Sequence, residues 1–180
     1  MPEKSQPGYH PLQVSLHWLI VFLVFATFVL GKFMSGQPNE ADKIPLIGFH
    51  MALGLATLIA MVVRIVARFR LPKLSPVSTG NSVLDNVAKL VHNGLYLFVL
   101  LMTVSGLSLS VQSGLTLIVF GGSGAPLPAD FYAFNARILH GIIAPTLLLL
   151  IILHAGAALY HQFFLKDRLL ARMWYRKSQI

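Results

Sequence analysis

Four stretches of the chain are apolar almost without interruption, near Ser15–Met34, Leu46–Val66, Leu90–Val111 and Ile138–Tyr160. Each is long enough to cross a bilayer, which takes roughly 20 residues of helix. A backbone surrounded by hydrocarbon must satisfy its own hydrogen bonds, so the pattern predicts four helices. None of the four alternates strictly between apolar and polar positions, as a barrel strand would. The expected fold is therefore all-α: an integral membrane four-helix bundle, one domain over residues 1–180. No repeat or low-complexity segment interrupts it. The first span carries His17 and Trp18 at its start, is long for a signal peptide, and is followed by no A-x-A-like site. It is expected to be retained.

The connections are Ser35–Pro45, Ala67–Lys89 and Gln112–Arg137. The second is basic and broken by Pro72 and Pro76. The third is rich in Gly and Pro (GGSGAPLP) and long for a bare connection, which predicts a cap over one end of the bundle. Lys and Arg orient the chain. With both termini inside, the inner segments hold Lys4, Arg64, Arg68, Arg70, Lys73, Lys89, Lys166, Arg168, Arg172, Arg176 and Lys177. The outer side holds only Lys32, Lys43 and Arg137. The prediction is N-in, C-in.

Composition narrows the class. Hydrophobic residues make up 56% and charged residues 11% of the chain, and the mean hydropathy is +0.71. Such a chain cannot cover a soluble surface, and its apolar content excludes disorder. The net charge of +8 does not point to nucleic acid, because the cations fringe apolar runs, where they face an anionic lipid leaflet. There are no cysteines. That excludes disulfides, thiolate metal sites, iron–sulfur clusters and c-type haem attachment.

The candidate chemistry lies in the histidines. All seven except His10 sit within or at the edge of a span. Ionisable groups inside a membrane are costly, and neutral imidazole is a common ligand for metal and haem iron. His50 and His140 lie at matching depth near the outer ends of the second and fourth spans. His17 lies near the inner end of the first, and His154 in the inner half of the fourth. His140 and His154 are 14 residues apart. On a helix that returns to nearly the same face after a rise of roughly 21 Å. Two histidines on one face, at opposite ends of one helix, suit two stacked cofactors better than one metal. His50 supplies the outer partner and His17 the inner one. The hydrocarbon core is about 30 Å thick, so two such groups would sit near its two faces. His161, seven residues past His154, shares its face and competes as inner ligand. Pro145 makes the facing angle approximate.

Other polar residues have two readings each. His92 and Tyr96 are four apart at the inner edge of the third span, as an interfacial pair or as a contact to an inner propionate or small substrate. Arg64 and Arg68 anchor the inner end of the second span or pair with porphyrin carboxylates, and Arg137 is their outer analogue. Gly54 shares the face of His50 and serves helix packing or the close approach of a porphyrin. A proton-relaying transporter is the competing class, but no acidic residue lies inside any span.

Five segments, in order, resemble the bacterial cytochrome b561 family: LQVSLHWLI (Leu12–Ile20), IGFHMALG (Ile47–Gly54), VVRIVARFRLP (Val62–Pro72), HNGLY (His92–Tyr96) and LHAGAALYHQFFLKDRLLARM (Leu153–Met173). The resemblance spans nearly the whole chain. It implies a bundle with two non-covalent b haems in a bacterial inner membrane, His17 and His154 ligating the inner one, His50 and His140 the outer. It thereby assigns His154, not His161, to the iron. It implies quinone near Ser15 and His161, and an oxidoreductase passing electrons from periplasmic superoxide to ubiquinone. Pro11 stands where the superoxide-oxidising pattern has arginine. Two further readings stand beside this one: a relay between quinone and a periplasmic partner protein, and a haem-free transporter or assembly factor.

Overall fold

The structure is a computed structural model that describes residues 8–72, 74, 80–167 and 169–174. Of the cations used to orient the chain, Lys4, Lys73, Arg168, Arg176 and Lys177 lie outside the described residues, as does Pro76.

Five α-helices form among the described residues: α1 (Pro11–Ser35), α2 (Ile44–Arg70), α3 (Ser82–Gln112), a short α4 (Leu115–Val119) and α5 (Asn135–Tyr160). No strand occurs among the described residues. Four of the helical segments are long and apolar enough to cross a membrane, so the expected all-α bundle is found. Pro11 opens α1, where its missing N–H costs nothing, and the His10 imidazole accepts from the Leu12 N–H. Asn81 caps α3 by accepting from Val83 and Leu84. Pro72 follows the end of α2 at once. The helices overrun the hydropathy boundaries, most of all at Ser82. Hydropathy marks where hydrocarbon ends, whereas backbone hydrogen bonding continues into the polar layer.

α1 packs along α2 and α3 along α5, and α2 against α3 joins the two hairpins. α5 makes no comparable approach to α1 or α2. An apolar layer of Ile20, Leu23, Ala60, Met61, Val99 and Leu147 fills the middle of the bundle. Large side chains such as Phe22, Phe25, Phe69 and Phe164 point outward, as lipid-facing residues do. α5 runs unbroken through Pro145, and Thr146 donates back to the Ile142 carbonyl beside it.

The expected cap is present. Gly114, at φ +69°, turns the chain from α3 into α4, and Leu115 and Leu127 bury against Ile47 over one end of the bundle. The opposite end gathers both ends of the described chain. The indole of Trp18 donates to the Met173 carbonyl (2.9 Å), and the Tyr9 N–H to that of Arg172 (3.1 Å). Trp18 also meets Trp174 edge-on.

Candidate functional site

α5 carries a histidine at each end, and each meets a partner from the first hairpin. At the capped end His140 faces His50 of α2, ring centroids 6.2 Å apart at 72°. At the terminal end His154 faces His17 of α1, 6.3 Å apart at 77°. The apolar middle layer lies between the pairs.

The pairs fit an iron porphyrin. An imidazole nitrogen binds a metal at about 2 Å, so two rings on opposite sides of one iron bring their centroids to about 6.4 Å. Among the described residues no three His, Cys, Asp or Glu side chains gather as a metal site. A pair of imidazoles is enough for a porphyrin-bound iron, since the macrocycle fills its other positions. At the level of each pair it is the imidazoles that bring α5 to the first hairpin. A Cβ added to Gly54, one turn from His50, would meet nothing within 4 Å. Nδ1 of His50 is buried without a hydrogen-bond partner: the Thr27 carbonyl faces the ring but falls short of bonding geometry.

Three residues that hold this end were not singled out from the sequence. Ser105 bonds Nδ1 of His140 at 3.0 Å. A Cβ on Gly31 would lie 2.9 Å from Cε1 of His50, and one on Gly106 3.3 Å from Cε1 of His140. The Ser–Gly dipeptide in the middle of an apolar span was the available signal. Arg137 lies within electrostatic reach of His140, stacks over the Tyr132 ring (4.8 Å) and donates to its hydroxyl (3.4 Å). Lys43 is buried nearby; its ammonium donates to the Gln37 carbonyl and to Asn39 Oδ1, both at 2.9 Å. Asn39 in turn donates to the Pro128 and Ala129 carbonyls, tying the first connection to the third.

At the terminal end a cavity of about 90 Å³ is lined by Tyr9, Gln13, Arg64, Arg68, His92, Tyr96 and Met173. Arg64 spans three helices: Nε donates to the Tyr96 hydroxyl (3.1 Å) and Nη1 to the Gln13 carbonyl (2.9 Å). Arg68 stacks on the Tyr96 ring at 5.2 Å. His92 packs edge-on against His154, centroids 4.9 Å apart, with Nδ1 engaged by the Ala88 carbonyl (2.7 Å). Gln13 is buried, and its Oε1 has no partner. Ser15 and His161 do not line this cavity. Ser15 is exposed and donates to the Pro11 carbonyl, while His161 is engaged by Asp167.

The family described as prokaryotic cytochrome b561 matches residues 8–176. Cytochrome b562 of Cereibacter sphaeroides is 33% identical, across 94% of this chain and 96% of its own. Cytochrome b561 homolog 2 of Escherichia coli is 28% identical, across 94% and 93%. The probable superoxide oxidase CybB of Yersinia pestis is 28% identical, across 94% and 97%.

Proposed function

Since the chain belongs to the prokaryotic cytochrome b561 family, we propose that this bacterial inner-membrane electron-transfer protein binds two b haems and oxidises superoxide while reducing ubiquinone. The observation that carries the reading is the pair of facing imidazoles at each end of α5, with an apolar layer between them. His50 and His140 hold one haem, and His17 and His154 the other. The haem-free transporter or assembly-factor reading falls with the family.

The orientation is N-in and C-in, from the excess of Lys and Arg at the terminal end. The capped end then faces the periplasm. Haem held by these imidazoles would supply one-electron transfer. Every other role belongs to the protein. Four imidazoles orient the two groups. The middle layer excludes water between them. Arg137 and Lys43 place cations at the periplasmic end, but Glu40, Asp42 and Asp130 oppose them, so charge gives an anionic donor only weak support. Arg64 and Arg68 are placed to pair with carboxylates at the cytoplasmic end, where quinone enters from the bilayer near Ser15, His92 and His161. The net reaction takes two superoxides, one quinone and two protons to two dioxygens and one quinol.

A second reading is supported by the cap, which exposes Leu117, Phe120 and Tyr132. On that reading a periplasmic protein docks there and replaces superoxide as donor. The deciding experiment uses purified protein alone. It should carry two haems b per chain, be reduced by superoxide and be reoxidised by ubiquinone. A single haem per chain overturns the two-site assignment. Indifference to superoxide, with reduction only by a partner protein, favours the relay.

A further inference from the structure

Past Tyr160 the last helix widens into a π-helical turn, His161–Leu165. Lys166 closes it in the left-handed region at φ 56°, a costly conformation for a residue with a Cβ. The Asp167 N–H returns to the His161 carbonyl at 3.3 Å. The chain so folds back, and the Asp167 carboxylate engages Nδ1 of His161. On a regular helix these positions, six apart, would lie about 120° apart around the axis and could not meet. π-turns concentrate at functional sites. The ring is mostly enclosed, its side chain 17% exposed, with Tyr160 edge-on against it at 6.3 Å.

We propose that Asp167 is a positioning residue that makes His161 the proton donor for quinone reduction. This rests on the quinone reading given above. A carboxylate can only accept, so the proton it shares is the one on Nδ1, and Nε2 is left as the nitrogen that exchanges protons. Reduction of quinone to quinol consumes two electrons and two protons. The electrons come from the periplasmic donor. The protons come from the cytoplasmic water. In each delivery the His161 Nε2–H bond breaks and a quinone O–H bond forms, and water then returns a proton to Nε2. Asp167 fixes the ring and offsets the positive charge that a second proton brings to it.

The test uses haem-loaded full-length protein, reduced with dithionite and mixed rapidly with a short-chain ubiquinone while haem reoxidation is followed. Asp167→Asn should keep the haem content and spectrum of the parent. Its maximal rate should fall at least about tenfold, with the half-saturating quinone concentration unchanged. Asp167→Glu should recover most of the rate, and Asp167→Asn should add nothing to His161→Asn. In ¹⁵N-histidine-labelled protein the Nδ1 signal lost in His161→Asn should shift in Asp167→Asn. A parental rate in Asp167→Asn, additivity with His161→Asn, or an unmoved signal overturns the proposal. Should Asp167→Asn lose haem, Asp167→Ser decides: a rate per haem equal to the parent's overturns it. A parent that quinone does not reoxidise overturns the quinone reading itself.

Discussion

Oγ of Ser105 lies 2.9 Å from the Met102 carbonyl and 3.0 Å from Nδ1 of His140. A carbonyl can only accept, and a hydroxyl has one proton. Ser105 therefore donates to Met102 and accepts from His140. The proton of the imidazole sits on Nδ1, and the lone pair of Nε2 is free for iron. A neighbour that sets the tautomer of a ligating histidine typically changes metal affinity by about 10–100-fold. Ser105→Ala should therefore lose one haem of the two when challenged with an apo-haem acceptor, and Ser105→Thr should keep it. Equal retention in Ser105→Ala would show that the hydroxyl orients nothing.

The paired imidazoles should act as two independent units. Replacing His50 or His140 by Ala should halve the haem-to-protein ratio and leave the other site's spectrum intact. Replacing His17 or His154 should remove the complementary half. A variant that empties both sites, or neither, would contradict the pairing.

Two glycines near His50 should respond oppositely to one added methyl. On Gly31 it would press to 2.9 Å from the His50 ring. Overpacking of this kind costs about 1–3 kcal/mol, so Gly31→Ala should lower the stability of the haem-free protein. On Gly54 the methyl would meet no protein atom. Gly54→Ala should leave haem-free stability alone and lower haem occupancy. Thermal unfolding with and without haem separates the two effects.

Lys43 and Asn39 should hold the cap closed. Hydrogen bonds to a charged group are worth about 1.5–3 kcal/mol each. Lys43→Met or Asn39→Ala should speed amide hydrogen exchange in residues 121–130, most clearly near Pro128 and Ala129. Unchanged exchange there would show that the cap is held by Leu115 and Leu127 packing on Ile47 alone.

The bundle could be read from the chain because a spanning helix must be apolar along its whole length and because Lys and Arg collect at its ends. The paired levels were legible for a similar reason: fourteen residues between His140 and His154 fix both rise and rotation. Contacts across helices were not legible. Nothing local marks Ser105 as the neighbour of His140, or Gly31 as the neighbour of His50, since thirty-five residues separate the first pair and nineteen the second. Arg64 could be seen as a cation near the membrane surface but not as a strap from α2 to both Gln13 and Tyr96. The π-turn was hidden too, because it depends on how His161 and Asp167 meet rather than on any propensity of the residues between them.

α5 packs on α3 but keeps its distance from α1 and α2. Leu147 joins α5 to the first hairpin at mid-depth, while at either end facing imidazoles span the gap. Haem bound there, as proposed, would brace the two hairpins against one another, so the haem-free protein should be the softer form.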